Sequence, residues 1–110
     1  MRPIPRAMLI HEATLAQAAV DENGNETLTT LAQLRNVRVE ADCSQTLTND
    51  DTRAGQTALL LYDARGSQPR GVAFAPGQRV VFSGVRYRVQ AVEELCDGRR
   101  LHHVELNLCE

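Results

Sequence analysis

The segment PGQRVVFSGVRYRVQAV, residues 76–92, decides how the chain folds. Val80 and Phe82 lie on one face of a strand that ends at Ser83-Gly84, and Val85, Tyr87 and Val89 recur at every second residue beyond it. Period-two patterning on both sides of such a dipeptide predicts a β-hairpin. With Ser83-Gly84 as a two-residue loop, Phe82 pairs with Val85, Val80 with Tyr87 and Gln78 with Val89, which puts the apolar side chains on one side of the sheet. Gly84 supplies the positive φ that a type I′ turn needs at its second position, although Ser83 is a poorer first residue than Asn or Asp. Pro76-Gly77 marks where the strand begins.

Outward from this hairpin the same period recurs. Leu9, His11, Ala13 and Leu15 alternate against Ile10, Glu12 and Thr14, predicting a first strand within residues 8–18, with His11 half-buried among apolar neighbours. Asp21-Glu22-Asn23-Gly24-Asn25 is turn chemistry, closing a hairpin onto residues 27–34. That second segment is ambiguous: Leu28, Leu31 and Leu34 have helical spacing, Thr27, Thr29 and Thr30 favour a strand, and strand or irregular structure is preferred. Residues 36–41 predict a strand with one wet face, because Val37, Val39 and Ala41 alternate with Arg38 and Glu40. The run Ala58-Leu59-Leu60-Leu61-Tyr62 reads as a strand covered on both faces. A last strand over residues 101–108 directs Val104, Leu106 and Leu108 toward Val89 and Ala91, after a turn at Asp97-Gly98. The pattern stops only in residues 42–56, where a polar stretch offers almost nothing to bury; a gap of that length is either functional or disordered. The fold class expected is all-β: a small antiparallel barrel or sandwich of six to seven strands with one long polar loop.

Composition sets the remaining bounds. The 110 residues suit a single domain able to bury a core without disulfides. With 4% aromatic residues and no Trp, that core must be aliphatic. A net charge of -2 gives no basic footprint for a stand-alone nucleic-acid-binding module. All 12 basic residues are Arg, a side chain suited to carboxylate pairing across protein interfaces. Cys43, Cys96 and Cys109 fit neither a metal-binding spacing nor an even-numbered disulfide framework. Pairing across the Asp97 turn sets Cys109 opposite Arg88, too far from Cys96 for a bridge, so reduced thiols are expected. Arg2, Pro3, Pro5 and Arg6 interrupt any signal-peptide core and no membrane span is present, which predicts a soluble protein not exported by itself. Residues 1–6 form an extended arm that either packs on a neighbouring subunit or frays.

No catalytic constellation emerges, and no metal or cofactor is expected. His102 and His103 are consecutive in a strand, so their side chains point to opposite faces, only His102 toward the core, and cannot converge on one ion. Glu93-Glu94 and Asp50-Asp51 are adjacent acids on edges and loop tips. Cys43 lacks a neighbouring base, and no glycine-rich turn opens a helix.

The residues Leu60-Leu61-Tyr62-Asp63, Ser67-Gln68-Pro69-Arg70-Gly71, Phe74, Gly77, Phe82-Ser83-Gly84, Tyr87, Val89, Val92 and Leu101-His102-His103 together resemble the minor capsid proteins of tailed bacteriophages and prophages. Arg2-Pro3-Ile4-Pro5, Leu9-Ile10-His11 and Asn36-Val37-Arg38-Val39-Glu40 also match, so the resemblance covers nearly the whole chain. It departs in residues 16–33 and 43–56, and Val104 stands where an aromatic residue is expected. What the resemblance implies is a head-closure (stopper) subunit: a virion protein made in the host bacterial cytoplasm, assembling as a six- or twelve-fold homo-oligomeric ring below the portal and adaptor, with tail proteins beneath. Genomic DNA would pass through without sequence-specific binding. By its position between two strands, the 42–56 loop, with Asp42, Ser44, Thr46, Asn49, Asp50, Asp51, Arg53 and Gly55, is the candidate channel loop. Arg2, Arg6, Arg38, Glu40, Arg86, Arg88, Glu93 and Glu105 are the candidate subunit interface, unless the charges pair within their own sheet. A tail-completion or tail-terminator subunit is the nearest alternative. A small single-strand nucleic-acid-binding barrel is the alternative of another class, but it needs exposed stacking aromatics and a basic groove.

Overall fold

A computed structural model describes residues 5–42 and 57–110. After a single 3-10 turn, Arg6–Met8, six strands follow: β1 His11–Val20, β2 Glu26–Asp42, β3 Thr57–Asp63, β4 Arg79–Phe82, β5 Val85–Asp97 and β6 Arg100–Cys109. They close an antiparallel barrel in the order β1-β2-β3-β6-β5-β4. Closure leaves no continuous sheet edge around the middle of the barrel.

The deciding hairpin has the expected register, with Phe82 opposite Val85 and Val80 opposite Tyr87. Ser83 and Gly84 both take positive φ, 52° and 81°, as a type I′ turn requires. Ala75-Pro76-Gly77-Gln78 is a type II turn, closed by a 3.3 Å hydrogen bond from Gln78 N–H to Ala75 O, with Gly77 at φ 92°. Gly77 N–H donates to Val89 O, and Val89 N–H donates to Gln78 O. Two residues therefore oppose one in a glycine bulge, and β4 proper begins at Arg79.

Three expectations need correction. Residues 27–34 and 36–41 belong to one 17-residue strand, β2. Its alternation resets twice: β2 carries an extra residue between the pairs His11/Val37 and Ala13/Leu34, where Asn36 has φ 53°, and another at Leu31. The reset at Leu31 is what mimicked helical spacing among the leucines. The first strand starts at His11, because Met8 belongs to the 3-10 turn. Ala91 does not face the core. A bulge at Gln90 sets Ala91 opposite the exposed Asn107, and Val92 takes the inward place opposite Leu106.

The core is aliphatic but for two tyrosines. Leu15, Leu34, Val37, Leu60, Val80, Val89, Leu106 and Leu108 are buried with Tyr62 and Tyr87. Phe74 packs edge to face on Tyr62 at 5.1 Å between ring centroids, and Phe82 does the same with the half-buried His11 at 5.0 Å. His11 Nδ1 accepts the Val39 N–H at 3.0 Å, so the imidazole is satisfied as expected.

The turn after β3 clamps the Asn36 bulge. Ser67, fully buried, donates from Oγ to Asn36 O and accepts from Asp63 N–H at 2.9 Å. Arg35 and Gln68 exchange backbone hydrogen bonds of 2.7 and 2.9 Å. Ser67-Gln68 thus fixes the point where β2 resumes its alternation, and hence which of Arg38 and Val39 faces outward.

Candidate functional surface

Pairing registers array the outward side chains in rows across the barrel. One row runs Arg38, Leu61, Glu105, Glu93; the next runs Glu40, Leu59, Asn107, Ala91. Neighbouring strands are about 4.8 Å apart, so each row is a contiguous surface. Leu59 and Leu61 are half-buried, not covered on both faces as their apolar run implies; only Ala58, Leu60 and Tyr62 point into the core. The result is a small apolar centre rimmed by charge. Beside it lies a depression of about 660 Å³ whose lining includes Glu40, Leu59, Ala91 and Asn107. Among the described residues Glu40 is the only titratable one in that lining.

The rim charges are partly spent. Arg38 Nε meets Glu40 Oε1 at 2.9 Å within the same strand. Glu105 Oε1 lies 3.7 Å from His103 Nε2. Glu93 is exposed, directly opposite Glu105, and makes no ion pair among the described residues. Like charges directly opposite one another across a ladder are destabilising.

Arg86 and Arg88, grouped with these residues in the sequence-based interface, sit on a separate surface. With Arg79, Glu26 and Glu110 they line a hollow of about 290 Å³. Arg79 pairs with Glu26 through Nε–Oε1 at 3.2 Å and Nη2–Oε2 at 3.4 Å. Arg88 lies opposite Arg79 and, among the described residues, its guanidinium reaches only the Cys109 Sγ, at 3.9 Å. Arg86, opposite Val81, has no ion-pair partner among the described residues. The sequence reading missed Glu26, Arg79 and Glu110 here, although the i, i+2 spacing of Arg86 and Arg88 on an amphipathic strand was a signal that one face is cationic.

Of the other interface candidates, Arg6 opens the 3-10 turn and Arg2 lies outside the described residues. Among the channel-loop candidates only Asp42 is described, as the last residue of β2 paired with Thr57. Ser44, Thr46, Asn49, Asp50, Asp51, Arg53 and Gly55 lie outside the described residues, as does Cys43. Cys96 and Cys109 are free thiols, and Cys109 is opposite Arg88 as the spacing predicts.

The paired histidines require a further correction. His102 is buried, yet its Nδ1 lies 2.7 Å from Nδ1 of His103, and the rings meet edge to face at 4.9 Å. Strict alternation fails because His102 is the extra residue of a β6 bulge between the pairs Leu95/His103 and Cys96/Leu101, and bulges re-aim side chains. One nitrogen must donate and the other accept, so this contact is a single N–H···N hydrogen bond. Among the described residues no group of three or more His, Cys, Asp or Glu is arranged to hold a metal ion. Nor is any described helix long and apolar enough to cross a membrane.

No protein-family model matches the sequence, and no curated protein does. Among solved structures, a chain from the virion of a native gene transfer agent (GTA) particle matches with a TM-score of 0.61 and 23% identity, covering 99% of this chain and 96% of that one. The two chains share one fold. Coverage is nearly complete in both directions, so the likeness extends to the whole architecture and not to an isolated hairpin.

Proposed function

We propose that this protein is a structural subunit of a phage-like virion, a head-closure ring component at the head-tail junction that performs no catalysis. The observation that carries this is the end-to-end fold likeness to a chain of a gene transfer agent virion. It is joined by the resemblance of residues 62–103 to minor capsid proteins and by surfaces whose unpaired charges suit protein contact. The single-strand nucleic-acid alternative loses support from the side chains it needs: Tyr62 and Tyr87 are buried, and Phe74 and Phe82 pack against the core, so no aromatic stacking platform is presented.

In this role the barrel is the ring's building block, and residues 43–56 join β2 to β3 after their last rung, Asp42 opposite Thr57. Asp50 and Asp51 in that segment, with Asp42 at its root, outnumber Arg53. A phosphate backbone is repelled by such a loop, which favours passage of DNA over binding it.

Mass measurement of the protein alone and mixed with its portal and adaptor proteins tests the assignment. A ring-sized species, alone or on the adaptor, is expected; a monomer indifferent to both refutes the proposal. Capture by tail-tube proteins in place of the adaptor would move the subunit to tail completion. For the loop, replacing residues 44–55 by a short Asn-Gly-containing turn is expected to change stability by less than about 1 kcal/mol, since loop length alters closure entropy only slowly once the turn chemistry is satisfied, while packaged heads lose DNA. Unfolding on replacement would make the segment structural.

A further inference from the structure

Resting on the ring assignment above, we propose which surfaces meet: the Leu59/Leu61 face of one copy, with Glu93 and Glu105, docks head to tail on the Arg86/Arg88 face of the next. Both faces hold like charges directly opposite each other, Glu93 with Glu105 on one and Arg79 with Arg88 on the other. In an isolated subunit each juxtaposition is unfavourable. Meeting the other face turns both into attractions.

Among the described residues no ion pair joins the two faces. Arg88 and Glu93 lie five positions apart on β5, roughly 15 Å of strand, and neither Arg86 nor Glu93 has an ion-pair partner among the described residues. Arg79 is already held by Glu26, which leaves Arg86 and Arg88 as the forks presented outward. Each face also carries partly buried apolar side chains beside its charges, Leu59 and Leu61 on one and Val81 on the other. An apolar centre with a charged rim is the anatomy of a protein interface.

Placement around the barrel makes the contact heterologous. The acidic face centres between β3 and β6, the arginine face between β5 and β4, two strands further along a closed ring of six. The faces therefore look in directions roughly a third of a turn apart. Two different patches make a heterologous contact, the kind from which a ring is built when its rotation closes, whereas a self-complementary patch gives a two-fold dimer.

Charge reversal tests this. Glu93→Arg/Glu105→Arg makes both faces basic and Arg86→Glu/Arg88→Glu makes both acidic. Each variant alone is expected to need roughly a hundredfold higher concentration to assemble. Mixing the two in equal amounts is expected to restore rings of alternating copies, readable by native mass spectrometry. Circular dichroism melts verify folding. Should a double reversal unfold, the single neutralisations Glu93→Gln and Arg86→Gln are expected to weaken assembly in the same direction and to reduce its salt sensitivity. If wild-type rings form and the reversed variants assemble as well as wild type, or mixing fails to rescue them, the pairing is overturned and the ring assignment stands. A wild-type chain that forms no ring, alone or with portal and adaptor, overturns both.

Discussion

Ser67→Ala is the sharpest probe of how the β3-β4 turn holds the barrel in register. Ser67 is fully buried and its hydroxyl serves two main-chain groups, accepting from Asp63 N–H and donating to Asn36 O. Alanine fits the space but leaves both groups without a partner. A buried polar group orphaned in this way costs about 1–3 kcal/mol, so the pair amounts to about 2–4 kcal/mol once some relaxation is allowed. For a domain of this size about 4 °C of melting temperature is lost per kcal/mol, giving a fall of roughly 10–15 °C. Calorimetry or urea titration reads the change; the urea midpoint should drop with little change in slope, because the surface exposed on unfolding is the same. Hydrogen exchange should quicken first at Asp63 and Arg35, the amides nearest the clamp. A loss of less than about 3 °C would refute the reasoning, showing that the clamp is redundant with the Arg35-Gln68 bridge.

Tyr62 offers a pH test. Burial pushes its phenol above the ordinary tyrosine value, against smaller opposing effects from the Val72 backbone, the Arg70 charge and the Gly71 backbone. A raised folded value means that the contribution of the neutral phenol is complete below about pH 10 and is lost as pH rises through the folded pKa. Tyr62→Phe should therefore cost about 1 kcal/mol at neutral pH, from the lost hydrogen bond to Pro69 O, and flatten the alkaline decline in melting temperature; an unchanged decline would sink the assignment. At the central hairpin, Gly84→Ala should destabilise by about 1–2 kcal/mol through backbone strain alone, since φ is 81° and a Cβ there would meet nothing within 4 Å. Ser83→Asn should raise the melting temperature, because asparagine tolerates the positive φ better than serine does; a lower one would contradict the turn assignment.

Much of the barrel was legible because its hairpins carry their own punctuation. Ser83-Gly84, Asn23-Gly24 and Asp97-Gly98 mark turns by local chemistry, and period-two runs between them fix which face is buried. The bulges were not legible. At Asn36, Leu31, Gln90 and His102 the chain gains one residue relative to its neighbour, and nothing in the side chains announces it. Those insertions account for the misplaced Ala91, the apparent helical spacing in β2 and the meeting of His102 with His103. The surface was half legible. Arg38, Glu40, Glu93 and Glu105 were recognised as outward charges, but their gathering around Leu59 and Leu61, apart from Arg86 and Arg88, depends on strand order, which alternation alone does not reveal.

The rung between Asp42 and Thr57 has an engineering consequence. It pairs the two residues that flank 43–56, so the roots of that stretch are brought together by the sheet itself and not by whatever joins them. A guest peptide of different length or composition spliced there is clamped at both roots and puts no tension on the wall.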